Sequence, residues 1–121
     1  MRGVRGAITV EEDRKEAIWS AAATLVETML RENGIAPETI GAAIFSATED
    51  LVSAFPSAGV RVRVAGFDAV PLFDARQLAI EGSLPHCIRV LLLVDTEKGQ
   101  KDIRHIYLGG AAKLRPDLAG A

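Results

Sequence analysis

The sequence predicts an α+β fold: a mixed five-stranded sheet with one long and one or two short helices. Three observations lead there. One segment alone carries apolar residues at sustained helical spacing, with Ile18, Ala22, Leu25, Val26, Met29 and Leu30 on one face. Several shorter apolar runs, bounded by Gly, Pro or polar clusters, have the length of strands. Finally, 121 residues with 49% hydrophobic and only 5% aromatic content suit one domain with an aliphatic core. We place that domain at residues 1–115, with 116–121 as a C-terminal tail.

The first strand is residues 2–10, Arg-Gly-Val-Arg-Gly-Ala-Ile-Thr-Val. Asp13 reads as the N-cap of the long helix, with Glu16 three residues on as in a capping box. Gly34 ends that helix. Pro37 allows a short helical turn before a second strand over residues 41–47. Thr48-Glu49-Asp50-Leu51 breaks the strand, and Phe55-Pro56-Ser57 opens a short helix with Ser57 as its candidate cap and Gly66 closing it. Val70-Pro71-Leu72-Phe73 is the third strand, residues 74–86 a polar connection, and residues 87–95 the fourth strand. A turn at Lys98-Gly99-Gln100 leads to a fifth strand, residues 103–108. There, Ile103, His105 and Tyr107 share one face, while Arg104, Ile106 and Leu108 take the other. Gly109-Gly110 interrupts it and residues 111–114 resume it. One long helix cannot cover both faces of such a sheet, so the uncovered apolar face predicts a homo-oligomer.

Composition excludes several functions. A net charge of −2 without a basic tail gives no reason to expect nucleic acid. No apolar run approaches the roughly 20 residues of a membrane span, and no apolar signal region follows Met1. A cytoplasmic protein is the default. The single Cys87 forms no intrachain disulfide and no multi-cysteine metal site. Phosphate-loop, dinucleotide, nucleophile-elbow and zinc-protease motifs are all absent, so no cofactor or metal is expected. His86 reads as a solvated loop residue, His105 as a satisfied packing residue and Cys87 as a small buried hydrophobe.

The arginines carry more. Arg89 lies in Cys87-Ile88-Arg89-Val90-Leu91-Leu92-Leu93-Val94, the most apolar run of the chain. A guanidinium cannot shed its charge, so in such a strand it needs a carboxylate or a bound anion. Arg2 and Arg5 are three positions apart on one strand and face opposite sides. Arg5 and Arg89 are therefore read as an anion site, and Arg2, Arg63 and Arg104 as surface charges.

Taken together, Arg2-Gly-Val-Arg5-Gly-Ala-Ile-Thr-Val-Glu11, Ser46-Ala-Thr-Glu-Asp50-Leu51, Phe55-Pro56, Cys87-Ile-Arg89-Val, Asp102-Ile-Arg-His105-Ile-Tyr107-Leu108 and Leu114-Arg115-Pro116-Asp117-Leu118 resemble the monofunctional chorismate mutases of the Bacillus AroH type. The resemblance runs in order through nearly the whole chain. It implies a homotrimer built as a pseudo-α/β barrel, with active sites at the subunit interfaces. It also implies the Claisen rearrangement of chorismate to prephenate, on the route to phenylalanine and tyrosine. Arg5 and Arg89 fall on the family's essential substrate arginines. Phe55, Arg61, Tyr107, Leu114 and Arg115 fall on pocket positions, with Phe55 and Arg61 coming from one subunit and the others from its neighbour. A pericyclic rearrangement needs no nucleophile, metal or cofactor. It needs the substrate held folded and a cation where charge develops on the breaking ether oxygen.

The chain departs from the family at one wall. Gln77 stands where the family carries a glutamate, and Asp74 where it carries a pocket cysteine. The family's lysine after Phe-Pro is also missing from Phe55-Pro56-Ser57-Ala58. Three readings are open. Asp74 supplies the carboxylate, Gln77 keeps the hydroxyl contact with weaker catalysis, or Glu81 takes the part through a shifted register. The adopted expectation has Asp74 and Gln77 jointly lining the pocket. The alternative function is a non-catalytic or weakly active trimeric chorismate- or prephenate-binding protein.

Overall fold

A computed structural model describes residues 1–114. Five strands and two α-helices follow in the order β1 (Arg2–Thr9), α1 (Lys15–Asn33), β2 (Ile40–Ala47), α2 (Pro56–Arg63), β3 (Leu72–Arg76), β4 (Cys87–Val94) and β5 (Ile106–Leu108). Short 3₁₀ turns lie at Pro37–Thr39, Gln100–Asp102 and Gly109–Leu114. The sheet order is β3-β2-β4-β1-β5. β4 runs antiparallel to both β1 and β2, while β1–β5 and β2–β3 are parallel pairs. The mixed sheet and single long helix are those the sequence predicts.

Both helices pack on one face of the sheet. Val4, Phe45, Ile88, Val90 and Leu92 of the strands meet Ile18, Leu25, Val26 and Met29 of α1 and Val60 of α2 in one core cluster. Two glycines set how closely these layers approach. A Cβ at Gly6 would lie 2.5 Å from the Met29 sulfur, and one at Gly59 would lie 2.7 Å from the Trp19 Cα. Gly34 ends α1 in the left-handed conformation, φ 61°, its N–H returning to the last turn. On the opposite face the odd-numbered residues of β4, Arg89, Leu91 and Leu93, stand half-buried beside Ile44 and the exposed Phe73.

Several expectations are corrected. Asp13 does not cap α1; its Oδ1 accepts from the N–H groups of Val52 and Ser53, both at 3.0 Å, tying the loop after β2 to the approach of α1. Glu16 pairs with Arg63 of α2 at 2.6 Å instead. Ser57 is not the N-cap of α2, which is Phe55, and the helix ends at Arg63 before Gly66. The third strand starts at Leu72 and includes Asp74, Ala75 and Arg76, which composition had assigned to a loop. As an edge strand, β3 needs no buried apolar alternation.

The fifth strand holds only Ile106–Leu108. Ile103 to Arg104 stay out of the ladder because the buried Asn33 captures that backbone. Its Oδ1 accepts from the Arg104 N–H at 2.8 Å and its Nδ2 donates to the Arg104 carbonyl at 2.9 Å. Residues 111–114 do not resume the strand. Gly109 turns with φ 58° and Gly110 donates to Thr9 Oγ1 at 2.9 Å, so the chain coils away as a 3₁₀ turn. Nor is His86 simply solvated. It is half-buried with φ 49°, its N–H bound to the Asp50 carboxylate and its Nδ1 3.0 Å from the Val10 carbonyl oxygen.

Candidate active site

The helix-free face holds a hollow of about 210 Å³ lined by Arg5, Ala7, Ile44, Ser46, Arg89, Leu91 and Tyr107, with backbone of Gly6 and Val90. Strand register explains it. Ser46 of β2 lies opposite Arg89 of β4, Arg89 opposite Ala7 of β1, and Ala7 opposite Tyr107 of β5. These four residues form one row across four strands. Arg89 and Tyr107 are two strand spacings apart, about 10 Å. Between them the small Ala7 leaves the floor low. Arg5 sits one step along the same face of β1, exposed at the rim, with its N–H donating to His105 Nδ1 at 3.0 Å. Arg2 faces the other way and donates to the Lys98 carbonyl at 2.9 Å.

Arg89 is half-buried, and its Nε is buried with no hydrogen-bond partner among the described residues. A buried guanidinium N–H without an acceptor is costly, so this position favours an acceptor from outside the described residues. Beside it, burial pushes the Cys87 thiol up, while the charge of Arg89 and its hydrogen bond pull the other way. Burial prevails, so Cys87 stays a thiol rather than a nucleophilic thiolate. Among the described residues, no group of three or more His, Cys, Asp and Glu is gathered to hold a metal ion.

The other predicted site residues lie elsewhere on the chain. Phe55 and Asp74 border a second hollow of about 510 Å³, with Thr48, Leu51, Pro56 and Arg76. Asp74 shares the helix-side face of β3, since it lies opposite the fully buried Phe45, and its carboxylate accepts from the Ser57 N–H at 3.2 Å and from the Ser57 hydroxyl. Gln77 borders a third hollow with Glu49, Leu84 and Glu81, and its Oε1 is buried without a partner among the described residues. Arg61 is exposed on α2. The backbone of Leu114 closes the last 3₁₀ turn, and Arg115 lies outside the described residues. Within one chain the structure therefore gathers Arg5, Arg89 and Tyr107, leaves Phe55, Asp74 and Gln77 near the β3 edge, and leaves Arg61 exposed on α2. Sequence reasoning missed Ala7, Ile44, Ser46 and Leu91 as lining residues. Period-two counting outward from Arg89 would have found Leu91.

Two guanidiniums, a phenol and the Ser46 hydroxyl stand around an aliphatic floor, a lining whose positive charge suits a small anionic molecule. The family model for chorismate mutase type I matches residues 1–118. A chorismate mutase of Thermus thermophilus is 51% identical over 122 positions, covering 100% of this chain and 98% of that protein. One from Bacillus subtilis (strain 168) is 40% identical over 119 positions, covering 98% and 93%. The solved structure of a chorismate mutase from Clostridium thermocellum superposes with a TM-score of 0.89 at 35% identity, covering 93% of this chain and 99% of that one. The chain belongs to the chorismate mutase type I family.

Proposed function

We propose that the protein is an isomerase that converts chorismate to prephenate in aromatic amino acid biosynthesis, acting in the cytoplasm. The observation that carries this reading is the buried Nε of Arg89, without a partner among the described residues, above the Ala7 floor, with Arg5 and Tyr107 on the same face. Chorismate is a dianion, and arginine is the side chain best matched to carboxylates. Arg5 and the Tyr107 hydroxyl orient a carboxylate. Arg89 points its N–H donors at the ether oxygen that breaks. As the carbon–oxygen bond lengthens, negative charge grows on that oxygen, and a fixed cation in a half-buried setting stabilises it without reorganising. Holding the enolpyruvyl arm folded over the ring removes most of the entropic barrier. The reaction moves electrons within one molecule, so no proton transfer or covalent intermediate is required.

The working unit is a homotrimer with its active sites between subunits. The half-buried Leu91 and Leu93, with the exposed Phe73 beside them, support this, as does the division of the site residues between two edges of the sheet. The β3 edge of one subunit brings Phe55 and Arg61 to the Arg5–Arg89–Tyr107 hollow of the next, where Leu114 and Arg115 help close it. Gln77 keeps the contact to the substrate hydroxyl with a neutral amide. Mixing the protein with chorismate and following its loss, with prephenate as product, tests the assignment. Binding with no turnover above the uncatalysed rate would overturn it.

A further inference from the structure

The start of α2 lacks a cap of its own. Phe55 occupies the N-cap position and has no side-chain oxygen, and Pro56 has no N–H. The Ser57 N–H is thus the first free donor of the helix. Ser57 is only 6% exposed, so water does not serve it well. Asp74, seventeen residues downstream on β3, supplies the acceptor: one carboxylate oxygen takes the Ser57 N–H at 3.2 Å and the other takes the Ser57 hydroxyl. The carboxylate also sits at the positive end of the α2 dipole, where an anion is favoured. Phe55, one residue before this clamp's helix turn, is 69% exposed and borders the same hollow as Asp74.

We propose that Asp74 is a positioning residue: it clamps Ser57, fixes the first turn of α2 on β3, and thereby aims Phe55 toward the substrate. Both carboxylate oxygens are engaged within the chain, and in this reading the hydroxyl contact is assigned to Gln77. This inference rests on the assignment of chorismate as substrate and of Phe55 as a wall of its site.

Steady-state kinetics on the full chain test it. Asp74→Ala raises KM by about five- to tenfold, the scale of a lost helix cap, and Ser57→Ala, which keeps the N–H bond to Asp74 and loses only the hydroxyl one, raises it by about two- to threefold, each with kcat changed by less than about threefold. The double variant is no worse than Asp74→Ala alone, because the hydroxyl bond that Ser57→Ala removes is already gone with the carboxylate. Asp74→Asn, which keeps an acceptor for the Ser57 N–H, restores most of the affinity that Asp74→Ala loses. A second readout needs no turnover. With fluorine-labelled phenylalanine and the Phe55 signal assigned through Phe55→Leu, Asp74→Ala and Ser57→Ala shift and broaden that signal, and Asp74→Asn leaves it in place. A kcat loss of about a hundredfold or more in Asp74→Ala with Ser57→Ala unaffected would make Asp74 a substrate-contacting group and overturn the proposal. So would an unmoved Phe55 signal. Should Asp74→Ala not fold, Ser57→Ala decides alone. If the unaltered protein fails to consume chorismate, the functional reading fails, and the fluorine signal still reports whether the clamp governs Phe55.

Discussion

Arg89 was legible in the sequence because an obligatory charge in an aliphatic strand leaves few explanations. The structure adds that its Nε has no partner among the described residues. Arg89→Ala is expected to lower kcat by about 10²–10³ or more, with the fold intact by circular dichroism. The rate of chorismate loss measures it. Gln77→Glu is expected to raise kcat, by placing a carboxylate near the positive charge that develops on the substrate ring; an unchanged rate would remove Gln77 from the site. Asp50 gives a prediction about pH. Burial raises its pKa, but the Thr48 hydroxyl, the His86 N–H and the His86 ring together hold its carboxyl below the usual value. A carboxyl depressed on folding adds stability above its unfolded pKa, and that contribution fades as pH falls through the folded value. Asp50→Asn should therefore flatten the acid limb of the stability curve below about pH 4, as seen in denaturant midpoints. Tyr107, Phe55 and Arg61 owe their site assignment to resemblance, because neither period nor charge singles them out.

At the scale of elements, α1 was readable from its apolar spacing and its glycine stop. The misread boundaries share one cause: hydrogen bonds arriving from distant residues. Asn33 withdraws the Arg104 backbone from the fifth strand, and Asp13 serves the loop after β2 rather than α1. Asp74, Ala75 and Arg76 are strand because β2 offers them a parallel ladder, which no local pattern announces. Contact between helices gives the test here. A methyl at Gly59 meets the Trp19 backbone, which cannot give way as a flexible side chain would. Gly59→Ala is expected to cost about 1–3 kcal/mol, the usual penalty of overpacking, read as a lower thermal midpoint. Gly6→Ala meets the more pliable Met29 side chain and should cost less.

At the scale of the whole molecule, sequence predicted a bare sheet face and partner subunits over it, but not how those surfaces would meet. Counting one long helix against five strands was enough to predict an uncovered layer. Which edge meets which hollow depends on surfaces that no single-chain pattern encodes. Phe73→Glu with Leu93→Glu places charge on that layer without touching Arg5, Arg89 or Tyr107. The expected result is a smaller species by light scattering and a parallel loss of turnover. Turnover kept by a monomer would remove the interfacial site.

The position of β1 reaches into how the chain is made. β1 is synthesised before both of its sheet neighbours, β4 and β5, which come from residues 87–94 and 106–108. While the ribosome is still translating the middle of the protein, that strand has no lateral partner and both its edges are open. Arg5 and Tyr107 meet only when β5 has left the exit tunnel, so a nascent chain stalled before residue 106 should bind no substrate. Long-range pairing of this kind slows folding and leaves the early strand exposed to wrong partners. The charge and glycines of Arg2-Gly3-Val4-Arg5-Gly6, a poor template for aggregation, suit a segment that must wait.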